Sequence, residues 1–353
     1  MSSEHKIKYL AEPDVEKWVV TLLDRYDVYA PFESAENGLK EKEYTFHRLT
    51  EVSDDLCFPA YRPSDPLKSF FTPYIEKVAE YFDGSRDAVP DETPVVLFGT
   101  KACDLVAHRV QDYVFLGGVA EDPFYRARRD NVLIISGDCT DFKQVCFCLA
   151  MDGKPYPEAE FDLNFTPLKG GGFLIECGTD RGRELLEQTG EFLKDVGEDQ
   201  LAERDDARKQ IVDRLQKHLE PQNLPSHDQL QGLVKGGMDK DTWSRFAETC
   251  VECGACNFVC DTCHCFLLSD RKTDSKNEKI RLWDSCQYAN FATVAGGATP
   301  LGSRSERLRN RFLKKFDFFV ENMDEPACCG CGRCIEACPG EIDIRDVLKD
   351  LTD

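Results

Sequence analysis

The first part of the chain alternates between segments with helical and with strand-like hydrophobic spacing. Residues 13–26 carry an early proline and apolar side chains at helical spacing, which predicts a helix. Short apolar runs bounded by turn residues predict strands at 27–30, 44–49, 95–98, 132–135 and 173–175. A helical segment at 104–114 separates two of these runs, and this order is typical of helices packed on a sheet.

The pattern changes after residue 219. Residues 199–219 place apolar side chains at helical spacing among charges, so we expect a long amphipathic helix that ends before Pro221. The stretch 221–240 is rich in proline, glycine and polar residues, which is typical of a connection between domains. We therefore predict an N-terminal mixed α/β domain at 1–235 and a second domain at 236–353.

Composition and charge narrow the class of protein. The 353 residues are 41% hydrophobic and 31% charged, as in soluble globular proteins, and the net charge of -21 argues against nucleic acid as a partner. Charges interrupt the first thirty residues, and no segment approaches about 20 consecutive apolar residues, so we expect neither a signal peptide nor membrane insertion. The expected location is the cytoplasm, where disulfides are disfavoured and the 18 cysteines need another explanation.

Two cysteine runs share the spacing C-x2-C-x2-C-x3-C. The runs are Cys250, Cys253, Cys256 and Cys260, and Cys328, Cys331, Cys334 and Cys338. This spacing is typical of paired 4Fe-4S clusters, in which three thiolates of one run hold one cluster and the fourth reaches the other cluster. The predicted ligands are Cys250, Cys253, Cys256 and Cys338 for cluster 1, and Cys328, Cys331, Cys334 and Cys260 for cluster 2.

Zinc is the alternative metal, because C-x2-C pairs also build tetrahedral zinc sites. A zinc ribbon uses only two pairs, however, and leaves the third and fourth thiols of each run without a role. The first run has Asp261 where the second has Pro339, a difference that alters the loop without removing a ligand. The expected fold is α+β, in which the N-terminal mixed α/β domain precedes a helical, bacterial-ferredoxin-like dicluster domain with a long insertion at 266–327.

The insertion contains a basic segment, 304–315, with six cations and one acid. One interpretation is a solvated amphipathic helix. The others are a docking patch for a partner and a cationic shield for negatively charged clusters. If the segment is a docking patch, reversing Arg307, Arg309 and Arg311 to Glu should weaken complex formation in a salt-dependent way.

The cysteine runs and their surroundings resemble a known family. The carrying segments are CVECGACNFVCDTCHCF (250–266), RLWDSC (281–286), AGG (295–297), RLRNRFLKKF (307–316), CGCGRCIEACP (329–339), FGTKACDL (98–105), YRARR (125–129) and GDCTDFKQVCFC (137–148). They are similar to the iron-sulfur beta subunit of soluble sulfhydrogenases and to the related dicluster iron-sulfur subunit of anaerobic sulfite reductase. The resemblance covers most of the chain. It implies a subunit that carries electrons between a flavin-containing NAD(P)H-oxidising subunit and a catalytic subunit of hydrogenase, sulfite-reductase or heterodisulfide-reductase-like type.

Four further cysteines lie near the ends of the strands predicted at 95–98 and 132–135. They are Cys103, Cys139, Cys146 and Cys148. Because α/β sheets build sites where parallel strands end, one hypothesis is that these thiols hold a third 4Fe-4S cluster. The alternative is that they are small buried apolar residues.

The remaining cysteines have weaker patterns. The positions of four of them favour contacts that tune the clusters over direct ligation of iron. These are Cys263, Cys265 and Cys286, with His264 beside them, and Cys329, which is next to a predicted ligand. Cys57 and Cys177 stand alone, which favours core or surface positions.

Three functions compete at this point. In the first, the chain transfers electrons and none of its residues is an acid-base catalyst. In the second, the N-terminal domain itself binds a flavin or substrate and reduces it. The sequence offers little support for such a site, because the glycines at 170–172 fit a hairpin or bulge better than a dinucleotide site. Residues 98–101 likewise fit a strand-to-helix turn. In the third, the chain is a colourless, zinc-stabilised interaction module.

Overall fold

The computed structural model describes residues 7–34, 41–51, 58–80, 93–273 and 277–352. Cys57 lies outside these ranges. The strands are β1 (Ile7–Leu10), β2 (Asp27–Glu33), β3 (Tyr44–Arg48), β4 (Ile75–Glu80), β5 (Val95–Thr100), β6 (Val132–Gly137), β7 (Leu163–Pro167), β8 (Phe173–Cys177), β9 (Leu193–Lys194), β10 (Phe266–Lys272) and β11 (Asn277–Trp283). The helices are α1 (Glu12–Leu23), α2 (Ala102–Leu116), α3 (Pro123–Asn131), α4 (Asp180–Gln188), α5 (Glu198–Leu219), α6 (His227–Leu230), α7 (Leu233–Gly236), α8 (Thr242–Ala247), α9 (Ala255–Phe258), α10 (Arg304–Leu313), α11 (Phe319–Met323), α12 (Arg333–Glu336) and α13 (Ile344–Thr352).

The N-terminal part is built on a mixed sheet in the order β3-β2-β5-β6-β7-β8-β1-β9. Neighbours from β2 to β7 in this order are parallel, and the flanking pairs are antiparallel. The central strands β5 and β6 are continuous apolar runs because helices cover both of their faces. All five strands predicted from the sequence are present, and the glycines at 170–172 lie in the turn of the β7–β8 hairpin, where the Leu168 amide donates to the Gly172 carbonyl at 3.0 Å.

Two hydrophobic cores lie on opposite faces of this sheet. On one face, Trp18 and Leu22 of α1 and Leu185 of α4 pack against strand residues such as Phe98. On the other face, α2 and α3 pack through Leu105, Phe115 and Tyr125. The predicted mixed α/β layering is therefore confirmed, and it fixes the carboxyl ends of β5 and β6 side by side.

A smaller three-stranded sheet joins the N-terminal part to the insertion. β11 lies between β10 and β4, and both pairings are antiparallel. Buried Arg281 of β11 pairs with Glu76 of β4 and with Asp122, and Glu76 also pairs with Arg128 at 2.5 Å. The insertion, where the sequence indicated helices, therefore begins with a hairpin that pairs with a strand from far upstream.

The C-terminal helices pack around a core that they share with the N-terminal part. Phe147 and Leu215 contact the same cluster of buried side chains as Phe312, Phe316 and Val347. The loop before Leu149 is thus held between the sheet and the C-terminal helices. No helix in the described ranges is long and apolar enough to cross a membrane.

The solvated or docking interpretation of 304–315 is wrong for three of its cations. Arg307, Arg311 and Lys315 are 2%, 5% and 3% exposed on α10 and on the π-helical turn that follows it, Lys314–Phe318. Arg307 donates to the Gln287 carbonyl oxygen at 3.1 Å. Since reversing buried charges removes such contacts, the triple reversal would destabilise the fold and cannot test partner docking.

Candidate metal centre

The two cysteine runs fold into the same local structure. In each run the residue after the second cysteine is a glycine with positive φ, 76° at Gly254 and 75° at Gly332. A single helical turn follows in both cases, α9 and α12. The residue before the second cysteine also has positive φ, 61° at Glu252 and 65° at Gly330. Glu252 adopts this conformation while paired with buried Arg307 at 2.5 Å.

The first run faces a cavity that is also lined by two cysteines of the second run. The cavity has a volume of about 540 Å³, part of it open to solvent, and its cysteine lining includes the four predicted ligands of cluster 1. They are Cys250, Cys253, Cys256 and Cys338. Cys334, a predicted ligand of cluster 2, lines the same cavity, together with apolar side chains such as Leu308 and Phe312. This lining matches the predicted exchange of the fourth ligand between the runs.

The predicted ligands of cluster 2 lie close to one another. Charge on Cys260 acts on Cys328 and Cys334, and Cys331 acts on Cys334, so the four predicted ligands of cluster 2 share one neighbourhood. Burial raises the pKa of Cys328 to about 12 and also raises the pKa of Cys334. A hydrogen bond from the Cys329 thiol lowers the pKa of Cys331 to about 6.

Within the described part of the chain, no three His, Cys, Asp or Glu side chains converge closely enough to hold one metal ion. A zinc site needs such convergence, because all of its ligands contact the same ion at about 2.3 Å. A 4Fe-4S cluster instead binds each thiolate through a different iron and so spreads them apart.

Buried cations lie beside both sets of thiols. The Lys315 ammonium is 3.3 Å from Cys260 Sγ and donates to Thr262 Oγ1 at 2.7 Å and to the Ala327 carbonyl oxygen at 2.9 Å. Arg311 donates to the carbonyl oxygen of the ligand Cys256 at 3.1 Å. Arg311 and Lys315 lie where the cationic-shield interpretation of 304–315 requires cations, because buried positive charge stabilises negative charge at thiols.

Asp261, which replaces the expected proline, has a structural role. It is buried, accepts from Arg333 at 2.8 Å and also accepts from the Lys68 amide at 3.0 Å. Burial raises the pKa of Asp261 to about 7. Arg333 also pairs with Asp104 of α2 at 2.7 Å, so the change from proline ties both cysteine loops to the N-terminal part.

Two buried cations from upstream were missed by the sequence analysis. Arg62 donates to the carbonyl oxygen of Cys331 at 2.9 Å and pairs with Glu336. Lys68 donates to the carbonyl oxygens of Asn257 at 2.9 Å and Cys263 at 3.0 Å, and its ammonium lies 4.2 Å from the Trp283 ring centroid. Neither residue belongs to a motif, so no local signal could have identified it.

Most of the nearby cysteines that are not predicted ligands contact a predicted ligand or a residue next to one. Cys263 interacts with Cys260, as Cys329 does with Cys331. Cys286 accepts from Asn257 Nδ2 at 3.2 Å, and Asn257 also binds Arg311. These contacts fit the expected role in tuning the clusters.

Two other residues singled out in the sequence have separate surroundings. His264 is largely buried, which lowers its pKa to about 4. The Cys177 thiol contacts the Thr179 carbonyl oxygen at 3.2 Å.

The four thiols proposed for a third cluster lie at the predicted sheet edge. Cys103 is the second residue of α2, directly after β5, and Cys139 follows β6 by two residues. Cys146 and Cys148 lie in the loop that packs on the second cysteine run, where the Phe147 amide donates to the Gly330 carbonyl at 2.8 Å. Cys329 joins this group through its contact with Cys103.

The close contact at Gly332 provides a test of the loop geometry. A methyl group there would lie 2.4 Å from the Val145 carbonyl oxygen, whereas at Gly232, which has a similar φ of 78°, nothing lies within 4 Å. We expect Gly232→Ala to cost about 1–2 kcal/mol through backbone conformation alone, and Gly332→Ala to cost about 3 kcal/mol or more because overpacking adds to it. The measurement is thermal unfolding of the anaerobic protein; equal losses in the two variants would contradict the described packing.

Comparisons with known proteins agree with the residues at this centre. A 4Fe-4S dicluster domain family matches residues 249–342. Sulfhydrogenase 2 subunit beta of Pyrococcus furiosus is 28% identical over 309 residues, which make up 87% of this chain and 89% of that protein. The resemblance inferred from the motifs is confirmed. The chain is a homologue of the sulfhydrogenase beta subunit and carries a 4Fe-4S dicluster domain.

Proposed function

We propose that the chain is the iron-sulfur electron-transfer subunit of a cytoplasmic multi-subunit oxidoreductase. In this role it relays electrons between a flavin-containing NAD(P)H-oxidising subunit and a catalytic subunit of hydrogenase, sulfite-reductase or heterodisulfide-reductase-like type. The similarity to a protein named as a sulfhydrogenase subunit supports this assignment.

The observation that carries the proposal is the arrangement of the two thiol sets. Cys334 belongs to the predicted set of cluster 2 and also lines the cavity of cluster 1. The two sets of thiols therefore adjoin each other. When bound there, a pair of 4Fe-4S clusters supplies stepwise transfer of single electrons. The chain's own residues hold the two sets of thiols next to each other.

The surroundings of the thiols favour electron transfer over acid-base chemistry. Arg311 and Lys315 are buried and contact the ligand residues Cys256 and Cys260. Fixed cations at these positions stabilise added negative charge, which is what reduction of each site requires. His264, the histidine next to the first run, has a pKa lowered to about 4 by burial and so stays neutral at physiological pH.

Purification under anaerobic conditions tests the proposed partners. We expect a tagged chain isolated from its own cells to bring down a second chain that carries the flavin. NAD(P)H should bleach the visible cluster absorption of this complex, because the flavin converts hydride into single electrons. The same chain expressed alone should contain no flavin and should be bleached by dithionite but not by NAD(P)H.

Two results would overturn this assignment. If the isolated chain retains flavin in a one-to-one ratio, the N-terminal domain itself binds and reduces it. A colourless chain that contains zinc and no iron would instead support an interaction module.

A further inference from the structure

Lys101 is a buried cation outside the dicluster region. It is 2% exposed and lies just after β5. No ion pair of Lys101 occurs within the described ranges, and its ammonium donates to the Asp138 carbonyl oxygen at 2.9 Å. In the dicluster region, a buried cation of the same kind accompanies a predicted cluster ligand, since Lys315 lies beside Cys260.

An unpaired buried ammonium is costly, because desolvation is not repaid by a nearby negative charge. The carboxylates near Lys101 are already paired: Asp104 binds Arg333 at 2.7 Å, and Asp138 binds Arg208 at 2.7 Å. Asp138 and Asp104 still act on the charge of Lys101, and the other groups that act on it are the thiols of Cys139 and Cys103, which follow β6 and β5. In the dicluster region, the negative charge beside the buried cation Lys315 comes from a thiolate that is assigned to a cluster, Cys260.

The thiols in this part of the fold come from three separate segments. Cys103 packs with Val106, Ala107, Cys329 and Cys331. The backbone of Cys148 lies against the same loop, since a methyl group at Gly330 would be 2.6 Å from its Cα atom. Cys139 is in electrostatic contact with Cys146, and Cys148 with both of them.

A polar group at the end of β5 is also unsatisfied. Thr100 is fully buried, and its hydroxyl has no hydrogen-bond partner in the part of the chain that the structure describes. Buried hydroxyls are normally hydrogen-bonded, so this position indicates that a further group belongs at the sheet edge.

We propose that Cys103, Cys139, Cys146 and Cys148 hold a third 4Fe-4S cluster, with Lys101 as its countercharge. The site adjoins cluster 2, because Cys103 and Cys146 both lie near its predicted ligand Cys331. The third cluster extends the electron path from the dicluster domain to the carboxyl edge of the N-terminal sheet. Cys329 is the fifth thiol of this neighbourhood and contacts Cys103 without being assigned as a ligand.

Iron and acid-labile sulfide, measured per chain on anaerobically reconstituted full-length protein, test this site. The expected count is about twelve iron atoms for the wild type and about eight for Cys103→Ser and for Cys139→Ser. Low-temperature electron paramagnetic resonance should show that both variants keep the signals of the paired clusters. Cys177→Ser is the matched control, because Cys177 is a buried thiol on β8 whose Sγ contacts the Thr179 carbonyl oxygen at 3.2 Å. It should keep the wild-type count.

The outcomes separate this proposal from the proposed function. A wild-type count of about eight would overturn the third cluster and leave the paired clusters in place. Unchanged counts of about twelve in both variants would also overturn it, since the extra iron would then have other ligands. A wild-type count near zero iron atoms per chain would instead contradict the proposed electron-transfer function itself.

Discussion

Replacing Cys260 by alanine is expected to remove the cluster of the second cysteine run, not that of its own run. Cys260 is buried and shares a neighbourhood with Cys328 and Cys334. Replacing Cys338 should have the reciprocal effect, because Cys338 lines the cavity of the first run. Each variant should lose about four iron atoms per chain, and the remaining cluster should give an electron paramagnetic resonance spectrum without the magnetic coupling of the wild type.

The cross-ligation test needs a way to tell which cluster is lost. Cys253 and Cys331 occupy equivalent positions in the two runs and are assigned to different clusters. The spectrum of Cys260→Ala should therefore match that of Cys331→Ala, and the spectrum of Cys338→Ala should match that of Cys253→Ala. The opposite matching would mean that each run holds its own cluster. Cys177→Ala controls for the loss of a buried thiol.

The sequence predicts the N-terminal sheet well because its central strands are covered on both faces. β5 and β6 are continuous apolar runs bounded by turn residues, and their periodicity is visible without knowledge of their neighbours. The edge strand β10 was missed for the opposite reason. Most of its residues are exposed, and its partner β11 pairs in turn with β4, which lies far upstream in the chain. Such pairing depends on long-range contacts that local spacing does not encode.

The dicluster domain could be predicted because cluster geometry restricts cysteine spacing. The buried charges around the cysteine runs could not be predicted, because composition does not show which side chains are buried. The cations of 304–315 look like a solvated surface in the sequence, yet Arg307, Arg311 and Lys315 are buried. Arg62 and Lys68 reach the cysteine loops from the N-terminal part, so their role follows from the tertiary fold alone.

Lys315→Gln is expected to lower the reduction potential of cluster 2 by on the order of 100 mV. The Lys315 ammonium is 3.3 Å from Cys260 Sγ, which places it roughly 6 Å from the nearest iron. Two unit charges at that separation interact by about 3 kcal/mol at an effective dielectric constant of about 20, and about 2.3 kcal/mol corresponds to 100 mV for one electron. Glutamine keeps an N–H donor for the Ala327 carbonyl oxygen, so the substitution removes the charge while retaining a hydrogen bond.

A redox titration followed by electron paramagnetic resonance measures this shift for each cluster separately. Lys314→Gln is the matched control: it is the neighbouring lysine, and its ammonium lies 5.4 Å from the Phe291 ring centroid. It should shift neither potential appreciably, because a partly exposed charge is screened by solvent. Lys315→Arg should restore most of the wild-type potential, since it returns the positive charge to the site. If Lys315→Gln leaves the potential of cluster 2 unchanged while iron content is intact, the ammonium does not act on the cluster, and Lys315 serves only to join Thr262 and Ala327.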